Sequence, residues 1–425
     1  MLEALRSGDW VTRDRVRFAA AALLIAFVAA LAYLVATSDG LNDALGRPLS
    51  TDFSNVYAAG TLVREGEPQA PFDPARQYAR EQAIFGAATP FYGWHYPPFF
   101  LIVAAALAYM PYPLALAVWQ GATFVLYLLA LRMIVTYAPK GEPRDAPAHR
   151  ASRAADPLWL LLALAFPAVF INLGHGHNGF LTAALIGAAL VQLDRRPALA
   201  GVLLGLLAYK PQFGILFPVV LVASGRWRVI AAAAATIAAL AAITTAALGT
   251  SVWDAFLAST HFTRVVVLEN GETGWQKIQS VFSAVRMWGG PVALAYAVQG
   301  SVTLALAAAM AWLWRAPVDF ALKAAGLIIA AILATPYSLD YDMTALAPAL
   351  AFLAVHGMRC GFAPYEKSAL AALWLAPLVA RSLAQAMLLP VGVLAMAAMF
   401  IVVLHRAAQQ AGGFARWKAS ANPVA

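Results

Sequence analysis

The chain has 425 residues, 62% of them hydrophobic and only 12% charged, with a formal net charge of +8. A soluble globular domain carries about 25% charged residues, so a water-soluble protein is excluded. The basic excess falls in short clusters between apolar stretches, as positive-inside loops require, and is no nucleic-acid footprint; one cysteine, Cys360, excludes an internal disulfide and a cysteine-based metal site.

A membrane span needs roughly 20 apolar residues. In chain order the clearest uncharged stretches are 18–37, 97–131, 157–193, 229–253, 287–314, 324–339, 343–358 and 382–404. The first is preceded by Arg13, Arg15 and Arg17. It is longer than the 7–15 residues typical of a signal-peptide core, which predicts a retained span. The expectation is an all-α polytopic membrane protein forming one integral-membrane domain over 1–425. No soluble domain, internal repeat or low-complexity linker is evident.

Two long polar interruptions follow, 38–96 and 249–286. In the first, seven acids (Asp39, Asp43, Asp52, Glu65, Glu67, Asp73, Glu81) oppose four bases (Arg47, Arg64, Arg76, Arg80), a balance suited to the outer face. It holds two helix-like pieces, 53–65 and 74–85, the second opened by Asp73-Pro74, a helix-start signal. Their aromatic residues predict helices lying at the membrane interface. The basic clusters on the inner side are Lys140, Arg144, Arg150 and Arg153; Arg195 and Arg196; Arg226 and Arg228; Arg315 and Lys323; and Arg406, Arg416 and Lys418 in and before the tail 407–425.

Alternating these sides gives one crossing too many between the outer loop and the cluster at 137–156. The proline-bounded segment 97–112 is therefore expected to re-enter without crossing. A second solution, with 198–223 a single helix broken at Lys210-Pro211, would put the basic "DRR" outside. About twelve spans result, with both termini inside.

Four polar clusters then gather on the outer side. The first is Asp52 with Tyr57, the second Trp94, His95 and Tyr96, the third "NLGHGHNGFL" with "LLAYKPQFG", the fourth "TPYSLDYDMTAL". Lys210 interrupts two apolar helices, where a lysine costs about 2.5–3.5 kcal/mol at mid-helix. It reads either as a snorkelling lysine at a turn or as a cation awaiting an anionic group. His175 and His177, framed by glycines, lack the further ligands of a zinc set. They read as a hydrogen-bonding turn, with Asn178 capping the next helix, or as donors to a phosphate or sugar hydroxyl. Asp342 serves equally as a cap for 343–357, Asp340 points elsewhere, and Asp52 alone reads equally as an N-cap near Phe53. No glycine-rich phosphate loop and no Ser-His-Asp arrangement is evident, so the substrate is expected to arrive through the membrane.

Several stretches resemble bacterial members of glycosyltransferase family 87, membrane enzymes of GT-C architecture. They are "TDFSNVYAAGTLVREGEP", "YPPFFLIV", the run from "GHGHNGFL" to "AYKPQFGILFPV", "KIQSVFSAVRMWG" and "TPYSLDYDMTALAPAL", in order over roughly 45–355. The resemblance implies a transferase that moves a sugar, typically mannose and in some members arabinofuranose, from a polyprenyl-phosphate donor to a lipid or glycan hydroxyl. It implies inversion in a single displacement, at the outer face of a bacterial inner membrane. The family's catalytic base falls on Asp52. Lys210, His175, His177 and Asn178 are then candidates for the donor phosphate, Tyr57, His95, Tyr96, Tyr337 and Asp340 for the donor sugar, and Asp342 for either. No metal, other cofactor or nucleic-acid partner is implied; the partners are donor, acceptor and membrane lipids. The sequence departs from the family at His177, where glutamine is common, and at Tyr341-Asp342, where mycobacterial relatives often carry histidine. A secondary transporter or lipid flippase, with Lys210 and Asp340 as a coupling pair, is the rival class.

Overall fold

A computed structural model describes residues 2–137 and 146–421, with the side chains of 146–150 and 413–421 set aside. Lys140, Arg144 and the side chains of Arg150, Arg416 and Lys418 thus lie outside the described residues. Every regular element among those described is helical, and the only extended pairings are isolated bridges.

A short α1 (Leu2–Ser7) precedes the first long helix, α2 (Arg13–Ala36). The first polar loop contains α3 (Thr51–Arg64) and α4 (Pro74–Phe85), and α5 (Phe100–Leu107) and α6 (Tyr112–Val135) follow. After α7 (Ala146–Ala155), the helices α8 (Leu158–Leu164) and α9 (Pro167–His175) form one segment bent by 43°. The bend falls at Pro167, whose ring removes a backbone donor. Next come three short helices, α10 (Gly179–Gln192), α11 (Pro197–Leu206) and α12 (Phe217–Ala223), then the long α13 (Trp227–Leu248). The second polar loop holds α14 (Ser251–Phe262) and a π-helical turn over Thr263–Glu269. The chain ends with α15 (Val281–Met287), α16 (Val292–Arg315), α17 (Phe320–Leu333), α18 (Leu346–Cys360), α19 (Glu366–Met387) and α20 (Val391–Ala421).

Among the described residues, seven helices are long and apolar enough to cross a membrane, or eight if the bent α8–α9 pair is one span. A helix of 24 residues such as α2 reaches about 36 Å, against a hydrocarbon core of about 30 Å. Four shorter apolar helices, Gly179–Gln192, Pro197–Tyr209, Pro211–Ala223 and Phe320–Leu333, fall below that length, so the count by length is lower than the expected twelve. The eight residues of α5 span only about 12 Å, too little to cross.

Helices α2, α13 and α16 expose most of their apolar surface, as lipid-facing helices do, whereas α17 is buried over nearly its whole length. Small residues decide where backbones touch. A Cβ on Gly60 of α3 would lie 2.1 Å from the Ala104 carbonyl oxygen of α5. Gly201 and Gly205 of α11, one turn apart, press on α13 in the same way: a Cβ there would lie 2.5 Å from Ala232 and Thr236 respectively. Ala232 and Ala233 of α13 therefore serve internal packing, while Ala231, Ala234, Ala235, Ala238 and Ala239 stay exposed. One expectation is corrected here. Instead of lying on an interface, α3 is a core helix, with Phe53, Ser54, Asn55, Val56, Ala58, Ala59, Gly60 and Leu62 all buried. Its alanines and glycine leave room for α5 to approach.

Candidate active site

A cavity of about 820 Å³ opens at the end of α2 that carries Leu34. The α3 amino terminus, the 90–96 segment, the turn between α9 and α10, the break after α11, the second polar loop, the 337–342 turn and α19 all reach it.

The glycine-histidine turn explains why α3 and α9 meet there. Gly176 closes α9 at φ 65°, a conformation that suits glycine. A Cβ on it would stand 2.6 Å from Ser50 Cβ and 2.7 Å from Phe53 Cβ. Only glycine lets the turn lie on the α3 amino terminus and bring His175 beside Asp52. Asn172 completes the turn by accepting from Gly179 N at 2.8 Å, doing the capping that sequence had given to Asn178. Ser50, in the left-handed region at φ 62°, precedes α3. Backbone conformations of this kind persist where the surroundings enforce them, often at functional sites.

Asp52 sits in the first turn of α3, with Ser50 at the cap position, so it is no N-cap. Its carboxylate Oδ1 lies 3.5 Å from His175 Nδ1, and Thr51 Oγ1 bridges the two at 3.4 and 2.8 Å. Burial pushes the Asp52 carboxyl up, but the His175 charge, hydrogen bonds from His175 and Tyr341, and the charge of Lys277 together hold it below the usual carboxylate value. The group is an ionised carboxylate at neutral pH. In contrast, burial pushes His95 down to about 4 against the raising effect of Asp52, so His95 is neutral. Its Nδ1 meets Thr263 Oγ1 at 2.9 Å in the π-helical turn.

Lys210 is 4% exposed, and its ammonium lies 2.5 Å from Asp342 Oδ1 and 3.4 Å from His177 Nε2. Asp342 also accepts from Leu339 N at 3.0 Å, so it both caps its own turn and neutralises Lys210. The His177 ring stacks on Tyr341 with centroids 3.6 Å apart, and its Nε2 meets Tyr96 OH at 3.2 Å. Asp340 accepts from Tyr341 N at 2.9 Å and faces Arg381 of α19 at 3.9 Å.

Of the residues singled out by sequence, Asp52, His95, Tyr96, His175, His177, Lys210, Tyr337, Asp340 and Asp342 all line this cavity. Tyr57 and Asn178 are not among its lining. Tyr57 donates to the Met110 carbonyl at 2.9 Å within an aromatic cluster, and buried Asn178 gives its carbonyl to Tyr209 OH at 3.2 Å. Sequence reasoning missed Lys277 and Arg381, two further cations of the cavity: Arg381 is held only loosely, 3.9 Å from Asp340, and Lys277 has no ion pair among the described residues. Gln279 N donates to Ser338 O at 2.6 Å and so ties the Lys277 loop to the 337–342 turn. Burial, then the Arg381 charge, lower the Lys277 ammonium, while Asp340 and Asp52 raise it. An arriving anion would relieve that repulsion between cations.

A family model described as glycosyltransferase family 87 matches residues 94–336, more than half of the chain. The chain belongs to glycosyltransferase family 87. It is thus a membrane glycosyltransferase, which acts on a sugar donor and an acceptor. The matched region carries His95, Tyr96, His175, His177, Lys210 and Lys277, and Asp52 lies ahead of it. No curated protein and no solved structure matches the chain.

One group of potential metal ligands among the described residues, Asp319, His356 and Cys360, lies at the far end of α18. There His356 Nε2 accepts from Arg406 Nε at 3.1 Å, which puts the ring proton on Nδ1, 3.5 Å from Asp319. Arg359 adds a second cation 3.5 Å from the same carboxylate. The His356 and Asp319 side chains are thereby engaged in an ion-pair network.

Proposed function

We propose that this glycosyltransferase moves a sugar, mannose in the simplest case, from a polyprenyl-phosphate donor to an acceptor hydroxyl by a single inverting displacement. The observation that carries the proposal is an ionised carboxylate, Asp52, in the same cavity as two cations, Lys277 and Arg381. The acceptor oxygen attacks the anomeric carbon as its proton passes to Asp52, and the bond from that carbon to the phosphate oxygen breaks. Polyprenyl phosphate leaves with the bonding electron pair, its charge rising by about one.

General-base assistance of this kind contributes about 10²–10⁴-fold. His175 holds the carboxylate in place and in its charged form. Lys277 and Arg381 meet the growing phosphate charge, as preorganised cations aimed at developing charge do. Lys210 is less available for it, because Asp342 already neutralises it; the pair ties the break after α11 to the 337–342 turn. Tyr96, His95 and Tyr337 are positioned to contact the sugar. A coupling pair of Lys210 with Asp340, as a transporter would need, has no support in the geometry, since Lys210 pairs with Asp342 and Asp340 faces Arg381.

The architecture proposed is of GT-C type, in a bacterial inner membrane, with this cavity on the outer side and both termini inside. The positions of the basic clusters support that orientation. The test is transfer from radiolabelled polyprenyl-phosphate-mannose to a membrane lipid extract, in nanodiscs, beside the same assay with a nucleotide-linked mannose. Label moving only from the lipid-linked donor is the expected result. Transfer only from the nucleotide sugar would overturn the proposal.

A further inference from the structure

A second cavity, of about 530 Å³, lies at the opposite end of the molecule from Asp52. Helix α2 measures the separation: Leu34 near its end borders the first cavity, and Arg15, Val16 and Ala19 at its start border the second. Ligand cavities fall in about the 300–1,000 Å³ range, so this one holds a small ligand or one lipid chain.

Its wall is almost wholly hydrocarbon, drawn from α2, α6, α8, α18 and α19. The tryptophans Trp10, Trp159 and Trp374 border it, each with its indole N–H satisfied, by Ser368 Oγ at 2.9 Å, Ala154 O at 3.2 Å and Leu162 O at 3.3 Å. They present only ring carbon to the cavity. The amino-terminal segment is fastened alongside: Tyr365 N donates to Arg6 O at 2.8 Å and Ser368 Oγ to Leu5 O at 2.8 Å. The space is thus enclosed by tied elements rather than being a gap between loosely packed helices.

The polar rim is one-sided in charge. Arg15, Arg153 and Lys367 border the cavity with a single acid, Asp156, and that acid is already paired with Arg13 at 2.7 Å. Arg15 donates to the Trp10 carbonyl at 3.2 Å, and Lys367 lies 5.5 Å over the Phe362 ring. Neither has a carboxylate within ion-pairing distance among the described residues. Two cations beside an apolar slot at a membrane face, with the local acid consumed, complement a phosphate group that trails an acyl chain.

We infer that this cavity binds one anionic phospholipid from the leaflet opposite the active site, its chain against α6, α8 and α18 and its phosphate between Arg15 and Lys367. Chain burial alone gives no preference, because lipid tails are as apolar as the cavity wall. Selectivity comes from the headgroup, at about fivefold per cation near the surface, or roughly 30-fold for the two.

The test uses the full chain in mixed micelles of phosphatidylglycerol and phosphatidylcholine, with retained lipid counted by native mass spectrometry. Wild type is expected to keep one phosphatidylglycerol in preference to phosphatidylcholine. The double variant Arg15→Gln, Lys367→Gln, which alters only rim side chains, is expected to lose that preference. Ala354→Phe, which fills the slot, is expected to lose the retained lipid itself, with unchanged elution on size exclusion showing that it folds. Equal retention of both lipids by wild type, an unchanged preference in the double variant, or retention of a polyprenyl phosphate instead would overturn the inference.

Discussion

Glu81 offers a quantitative test of how the first polar loop is held. It lies on α4 with no exposed surface and accepts from Tyr92 N at 3.0 Å, Gly93 N at 3.1 Å and Gln77 Nε2 at 3.1 Å. Gln77 also donates to the Asn55 carbonyl of α3 at 3.0 Å, so one carboxyl ties α4 to the segment carrying His95 and, through Gln77, to the helix carrying Asp52. Burial raises its pKa to about 7, and the three donors only partly offset that. Because the folded value lies above the unfolded one, the contribution to stability is fully present below about pH 4.3 and is lost as pH rises through about 7. Across the whole range this amounts to about 4 kcal/mol, at about 1.4 kcal/mol per unit; between pH 6 and pH 8 about 1.3 kcal/mol is lost. The assay is thermal unfolding in detergent at both pH values, for wild type and Glu81→Gln, whose side chain cannot titrate. Wild type should lose on the order of 1–2 °C more than the variant on going from pH 6 to pH 8. Identical pH dependence in the two proteins would refute the reasoning.

Other perturbations probe the packing and the charge pair. Gly60→Ala, which places a methyl against the Ala104 carbonyl, should destabilise by about 1–3 kcal/mol in the same melt, and an unchanged transition would remove the α3–α5 contact from the account. Lys210→Met and Asp342→Leu should each cost about 3–5 kcal/mol by stranding a buried charge, whereas the double variant should recover most of that loss; additive losses would contradict the pairing. Because the base must be ionised and its carboxyl is held below the usual value, kcat/KM for Glu81→Gln should show no acid limb from Asp52 above about pH 4. A limb that Asp52→Glu moves within pH 5–7 would contradict that assignment.

Much of this architecture is legible in the sequence. The helices expected at 53–65 and 74–85 are found at 51–64 and 74–85, and Asp73 does cap the second, accepting from Ala75 N at 2.9 Å. Local signals sufficed there because caps and prolines act within one turn. Helix α19 was missed because Glu366, Lys367 and Arg381 interrupt its apolar run, yet Glu366 is buried against Arg406 and Arg381 lines the cavity that holds Asp52. Tyr57 was grouped with Asp52 by nearness in sequence. Five residues along a helix turn by about 500°, which leaves the two side chains about 140° apart and sends Tyr57 to Met110. Lys277 and Arg381 stand 104 positions apart in the chain, and only the tertiary fold brings them to one cavity. Which acid neutralises Lys210 was equally hidden, since Asp340 and Asp342 look alike in sequence, yet two residues along a 3₁₀ turn rotate by about 240° and point them apart.

The most direct measurement is single-turnover transfer from radiolabelled polyprenyl-phosphate-mannose in nanodiscs, wild type beside Asp52→Asn, with donor binding followed in parallel. The asparagine keeps the shape of the side chain and removes the base, so transfer should fall by about 10²–10⁴-fold while donor affinity stays within about twofold. A variant that still transfers within about tenfold of the wild-type rate would contradict the assignment of Asp52 as the base.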